Sequence, residues 1–145
     1  MNDQLYHYPH QLKHPIRWGD MDMLGHVNNS NYFRYYEEGR VKFFTDSHIR
    51  SALGQAKLGF VIAYIDCQFK FPLTYPDNII IATKVEKLSK DRFTLSQIIY
   101  SETHQKVAAK SKSIIVSFSH KMQSKINLSN AAFTLLEKEL THNSE

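Results

Sequence analysis

One cysteine, Cys67, stands in the 145 residues, so no intrachain disulfide can form. No CxxC occurs, and no two of the eight histidines have the spacing of a zinc site. Asp20-x-Asp22 opens like a calcium loop, but the later oxygen ligands and the glycine at the sixth position are missing. These gaps leave no recognisable zinc or calcium site. No apolar run approaches the ~20 residues of a membrane span. The stretch MNDQLYHYPHQLKHP lacks the apolar h-region of a secretory signal. No basic block or nucleic-acid motif accompanies the net charge of +4. That charge reads as a solvated basic surface or as attraction for a phosphorylated ligand. No repeat or low-complexity segment interrupts the chain. The expectation is a single cytoplasmic domain over 1–145, with no membrane span and no nucleic-acid partner. At this length a chain buries roughly 70% of the surface its unfolded form exposes.

What the chain does have is concentrated at 17–40, RWGDMDMLGHVNNSNYFRYYEEGR. Two acids, a histidine and two asparagines fall between Asp20 and Asn29. A strand is expected at 12–18, broken by Pro15, and a loop at 19–28. Asn29, Ser30 or Asn31 could cap the helix that follows, since their side chains accept from free first-turn N–H groups. Tyr32, Tyr36, Gly39 and Phe43 lie on one face of that helix, widened by Phe33 and Tyr35. Running to about 45, it would be roughly 25 Å long. Gly39 costs about 1 kcal/mol relative to alanine, which a close approach to another backbone would explain.

A short helix and a turn are expected over 47–59. The period then changes to two. Val61, Ala63, Ile65, Cys67, Phe69 and Phe71 alternate with polar or mixed positions, as in one long strand with a single apolar face. A turn at 72–78 leads to strands at 79–88, 93–100 and 107–118, joined by short polar connectors. A last helix at 129–140, capped by Ser129 or Asn130, presents Phe133, Leu136 and Leu140. One long helix must bury its apolar face, and the only large surface available is the sheet. The fold class is therefore α+β, a curved antiparallel sheet wrapped around one long helix.

With those residues in view, the chain resembles hotdog-fold thioesterases, and more closely the 4-hydroxybenzoyl-CoA thioesterase-like family of acyl-CoA thioesterases. The resemblance rests on Asp20-Met21-Asp22-x-x-Gly25-His26-Val27-Asn28-Asn29, then Tyr32, Tyr36, Glu38 and Arg40. It extends through the strand order to about 119. It implies that the loop and the helix N-terminus form a site shared by two subunits of a homodimer or homotetramer. Asp22 matches the catalytic carboxylate, and Asp20 an acid that is usually structural. Gly25, His26 and Val27 match the loop beside the substrate carbonyl. Two departures stand out. One bacterial branch has a histidine where this chain has Asn29. His26 instead matches the H-V-N-N string of acyl-carrier-protein thioesterases, which carry an asparagine where this chain has Leu24.

Thioester hydrolysis needs an activated water or a nucleophile, and a place for the oxyanion. Asp22 could take a proton from water or attack the carbonyl itself. Backbone N–H groups between Gly25 and Asn29 are the candidate oxyanion donors, helped by the helix dipole. His26 could orient Asp22 or the acyl group, or be an ordinary satisfied polar residue. Asn29 could brace the loop, cap the helix or hold the water. Glu38 and Arg40 are expected in a solvated or structural salt bridge. The family alignment suggests that the Gly59 N–H polarises the carbonyl in a neighbouring subunit's site, with Gly54 nearby as the other glycine of that loop. Lys87, Lys90 and Arg92 lie where the family often contacts CoA phosphates, with Lys110 and Lys112 as a second set; surface charge is the plain alternative. The reaction implied is hydrolysis of an acyl-CoA thioester, with no cofactor beyond the substrate's own CoA. The rival readings are acyl-carrier-protein hydrolysis and acyl-CoA binding without catalysis.

Overall fold

The computed structural model describes residues 4–52 and 58–143. The elements run β1 (His10–Pro15), a 3-10 turn (Trp18–Asp20), α1 (Asn29–Asp46), α2 (Ile49–Ala52), β2 (Leu58–Ile65), β3 (Gln68–Phe69), β4 (Asn78–Leu88), β5 (Arg92–Ser101), β6 (Lys106–Ser119), β7 (Ser124–Lys125) and α3 (Asn130–Asn143). The turn expected at 53–57, with Gly54, lies outside the described residues. All strands pair antiparallel in one sheet of order β1-β4-β5-β6-β2, and β3 and β7 both join β6. The sheet curls around α1, the α+β hotdog arrangement expected from the sequence.

The core has two parts. Tyr32, Tyr35 and Tyr36 of α1 pack on Ile79, Ile81, Ile99 and Ala109. Further along, Phe43 packs with Val85, Phe93, Leu95 and Ile115 under Ala132 and Leu136 of α3. On the outer face of the sheet, Leu5 and Tyr8 cover Ala82, Ile98 and Tyr100. Phe33 does not join the core: it lies on the far side of α1 from Tyr35 and is exposed.

Gly39 does meet a close approach, but from side chains rather than backbone. A Cβ there would stand 2.5 Å from Ile81 Cγ2 and 2.9 Å from Gln97 Nε2. The long strand expected over 61–71 is broken. The register slips between Ile62 and Tyr64, so Ala63 bulges and the alternation changes face. Asp66 then ends β2: its carboxylate accepts from the Lys112 N–H at 2.9 Å and from the Tyr64 hydroxyl at 3.0 Å.

Candidate active site

The loop before α1 is held by its own backbone. The Asp22 N–H donates to the His26 carbonyl at 2.8 Å, the Gly25 N–H returns to Asp22 at 3.1 Å, and Met21 bridges to Val27. Gly25 turns the chain at φ 82°, a region that side chains disfavour. Asp20 ties this loop to the helix. Its carbonyl accepts from the Asn28 N–H at 2.9 Å and from Asn31 Nδ2 at 3.0 Å, and its carboxylate accepts from the Tyr35 hydroxyl at 2.8 Å. Asp20 is thus a strut, as the resemblance implies.

The helix cap falls one residue earlier than expected. Asn28 is the N-cap, its side chain accepting from the Ser30 N–H at 3.0 Å. Asn29 is thereby released from capping, and it stands exposed at the mouth of a cavity.

That cavity has a volume of about 340 Å³. Asp22, Leu24, His26, Val27, Asn29 and Tyr32 form one side, and Phe69, Lys70, Phe71 and Pro72 the other. Two hydrogen bonds bring the sides together: Val27 N–H to the Leu73 carbonyl at 2.9 Å, and Leu73 N–H to the Tyr32 hydroxyl at 3.2 Å. Tyr32 also packs edge-on against Phe69.

The two oxygens of Asp22 are used differently. Oδ1 accepts from the Leu24 N–H at 2.9 Å and from the His26 N–H at 3.4 Å. Oδ2 has no hydrogen-bond partner among the described residues. One oxygen therefore anchors the carboxylate and the other is free to meet water or a carbonyl carbon. The His26 ring is exposed on the cavity wall.

The backbone narrows the oxyanion donors. The N–H groups of Gly25, His26, Val27 and Asn28 are all spent inside the loop or on Leu73. Gly25 and Val27 therefore shape the loop with their N–H groups already engaged within the fold. Ser30 N–H is taken by the cap. The Asn29 N–H alone of this run has no partner among the described residues, and it opens the helix where the dipole favours negative charge.

Of the tyrosines nearby, Tyr35 donates its hydroxyl proton to Asp20, while the hydroxyls of Tyr32 and Tyr36 accept from the Leu73 N–H and the Cys67 thiol. Burial pushes Tyr32, Tyr35 and Tyr36 above the ordinary tyrosine range, and the Asp20 carboxylate adds to the effect at Tyr35.

The remaining predicted site residues lie elsewhere. Gly59 pairs with Phe118 at the far end of β6. The Ser117 N–H donates to Asp91 and the Ser117 carbonyl accepts from Ile126, so the backbone of Ser117 faces away from β2. Strand alternation then turns Phe118, and with it the Gly59 N–H, into the β2–β6 ladder. Gly59 cannot aim that N–H at a neighbouring subunit, which corrects the expectation. Its lack of a side chain instead admits His120, whose Nε2 would stand 2.9 Å from a Cβ.

Lys87, Lys90 and Arg92 belong to the β4–β5 hairpin at that same far end. The length of β6 between Ala109, beside the Asp22 cavity, and Val116, beside Arg92, is roughly 23 Å at a strand's rise per residue. Within one chain these cations do not reach Asp22. Arg92 is also engaged by Asp91, at 3.0 and 3.2 Å. Lys112 pairs with Glu86 at 3.4 Å.

The cations near the cavity are ones the sequence did not single out. Lys70 lines it, and Lys106 sits 4.9 Å from the Phe71 ring centre. Lys70 alternates with Phe69 and Phe71, which marks a strand and carries no sign of the loop some forty residues earlier that it faces.

Comparisons with known proteins agree with this fold. The model of the thioesterase-like superfamily matches residues 16–137. A protein of Aquifex aeolicus (strain VF5), provisionally named an esterase, is 31% identical over 109 residues, covering 74% of this chain and 85% of that protein. The long-chain acyl-CoA thioesterase FadM of Escherichia coli (strain K12) is 26% identical over 99 residues, covering 68% of this chain and 75% of FadM. The crystal structure of YbaW, a probable thioesterase of Escherichia coli, superposes with a TM-score of 0.80 at 25% identity, over 90% of this chain and 98% of that one. Family model, relatives and fold converge on one reaction class, thioester hydrolysis, and the chain belongs to the thioesterase-like superfamily.

Proposed function

We propose that this protein hydrolyses an acyl-CoA thioester to free CoA and a carboxylic acid, with Asp22 as the catalytic carboxylate. The observation that carries the reading is a cavity lined by both Asp22 and Asn29, where Asp22 Oδ2 and the Asn29 N–H have no hydrogen-bond partner among the described residues. As a general base, Asp22 takes a proton from the attacking water. As a nucleophile, it displaces the CoA thiolate to leave a mixed anhydride, which water then cleaves. In either course the Asn29 N–H stabilises the oxyanion, a contribution of about 3–4 kcal/mol for a well-placed donor. His26 lies where it could orient the carboxylate or the acyl group, and the Asn29 side chain where it could hold the water. No metal or redox cofactor enters this scheme.

FadM, by its name, acts on long-chain acyl-CoA, which favours CoA over a carrier protein here. The working form is proposed to be a homodimer, alone or paired into a tetramer, in the cytoplasm. β2 is an edge strand, and the alternation that turns Gly59 inward turns the backbone of Phe60 and Ile62 outward. Ile62 and Tyr64 on this edge are about half exposed, as is Val41 of α1. Pairing two such edges about a twofold axis exchanges the strand ends. It would carry one subunit's Lys87–Lys90–Arg92 hairpin toward the other's Asp22 cavity, the arrangement that would let those cations meet CoA phosphates.

Thiol release from acyl-CoA by the wild type and by Asp22→Asn tests the reaction. The expected loss is roughly a hundredfold to ten-thousandfold. Full activity in the variant would end the assignment. Label found in Asp22 after a single turnover in ¹⁸O-water would identify the anhydride route with water attacking the aspartyl carbonyl, whereas a general base is never labelled. Parallel assays with carrier-protein thioesters, and a binding measurement on the same acyl-CoA, address the rival readings: affinity without turnover would make the protein a binder.

A further inference from the structure

Arg40 is expected in a salt bridge, but the structure gives it none. It is 7% exposed, and burial lowers its pKa. Its hydrogen bond is to Gln97 Oε1, at a long 3.4 Å. Gln97 cannot turn away, because its Nε2 donates to the Tyr36 carbonyl and to Thr83 Oγ1, both at 3.0 Å. No carboxylate stands within ion-pair distance of Arg40 among the described residues. The Glu37 carboxylate acts on it from beyond that distance, and the guanidinium's five N–H donors have one long hydrogen bond among the described residues.

The same side chain borders an empty space. A cavity of about 210 Å³ lies beside it, walled by Val41, Phe44, Phe60, Ile62 and Ile115, with the exposed Glu37 on its rim. A second, of about 270 Å³, adjoins it and shares Val41, Phe44 and Phe60. Ser113 precedes Ile115 by two on β6 and so faces the same side of the sheet. Its buried hydroxyl has no hydrogen-bond partner among the described residues. An apolar cavity with a few fixed polar groups is the usual form of a small-molecule subsite. Both this cavity and the Asp22 cavity border α1. Asn29 and Arg40 are about 20° apart around α1 and roughly 16 Å apart along it.

We propose that this cavity receives the far end of the acyl group, and that Arg40 selects acyl groups ending in a carboxylate. This rests on the thioesterase reading above and adds the substrate class. The apolar walls hold the methylene chain, and the Arg40 guanidinium meets the terminal carboxylate as a charge-assisted pair.

The test compares CoA thioesters of saturated monocarboxylic acids with those of α,ω-dicarboxylic acids, matched from short to long chains. For the wild type, the ω-carboxyl thioester is expected at one chain length to show a KM roughly tenfold or more below its saturated counterpart. Arg40→Met should abolish that advantage, read as the ratio of KM between the two series at each chain length, and Arg40→Lys should restore part of the ratio. If the terminal carboxylate is disfavoured at every length in the wild type, the proposal fails, and this outcome needs no variant to fold. It fails equally if Arg40→Met alters the oligomeric state and leaves the preference unchanged, since Arg40 would then be an interface cation. Hydrolysis of the saturated series without any ω-carboxyl preference sinks this inference alone. If the wild type turned over no thioester, the hydrolase reading would fall, and calorimetry with the same unhydrolysed panel would still decide the binding preference.

Discussion

At the scale of single residues, the site separates two acids two positions apart. Both sit in one loop, and the sequence motif alone distinguishes them by resemblance. The structure distinguishes them by what each oxygen touches. Asp20 accepts from a buried tyrosine and ties loop to helix, while Asp22 keeps one oxygen free. Asp22→Asn preserves an oxygen to accept from Leu24 and His26, so thermal unfolding should match the wild type even as turnover collapses. Asp20→Ala should behave in the opposite way. It strands the Tyr35 hydroxyl, and denaturant unfolding should report a loss of about 1–3 kcal/mol. The one-residue shift of the cap was invisible in the sequence, because Asn28, Asn29, Ser30 and Asn31 all have capping side chains. Only the backbone geometry shows which of them turns back on the helix.

At the scale of elements, periodicity carried most of the reading. α1 and the strands β4, β5 and β6 were legible because their apolar residues repeat at helical or strand spacing over ten or more residues. The break between β2 and β3 was not legible. A bulge at Ala63 inserts one residue without altering the apolar count, so the alternation continues in the letters while the chain changes face. Arg40 departs from expectation for a related reason: Glu37 acts on it without an ion-pair contact, and its one side-chain hydrogen bond among the described residues is to Gln97 on the sheet. Two substitutions probe α1. Asn28→Ala removes the cap and should cost about 1 kcal/mol in chemical unfolding. Because it loosens the first turn, it should also lower kcat through the Asn29 N–H. Gly39→Ala gains about 1 kcal/mol of helix propensity but must push Ile81 aside. Overpacking of this kind typically costs about 1–3 kcal/mol, so the net change in stability should be a loss. A more stable Gly39→Ala variant would show that the sheet yields there.

At the scale of the whole molecule, three neighbouring tyrosines of α1 are buried with raised pKa values. Their folded pKa lies above the unfolded value of about 10, so the unfolded state sheds protons first as the medium becomes alkaline. Their contribution to stability is present below that pH and declines above it, by roughly 1.4 kcal/mol per pH unit for each tyrosine still protonated in the fold. Urea midpoints should therefore fall steeply above pH 10, with tyrosinate absorbance rising together with unfolding. Tyrosinate appearing well before unfolding would contradict the burial. Assembly is the other property of the whole. Ile62→Lys places a charge on the open edge of β2 and should yield monomers by light scattering, with activity lost if the site needs both subunits. An active monomer would show that it does not.

The sequence by itself determined the period of each long element, the α+β class and the loop in which the chemistry is sought. These depend on local spacing and on a short string of residue types. Tertiary structure decided which Asp22 oxygen and which N–H of the loop lack a partner among the described residues, and that Gly59 faces inward. It also decided that Lys70 and Phe69 stand opposite Asp22. Those facts depend on hydrogen bonds between distant segments, such as Val27 to Leu73, and on a bulge that shifts register. A backbone donor is counted as free only after every other acceptor in the fold has been placed.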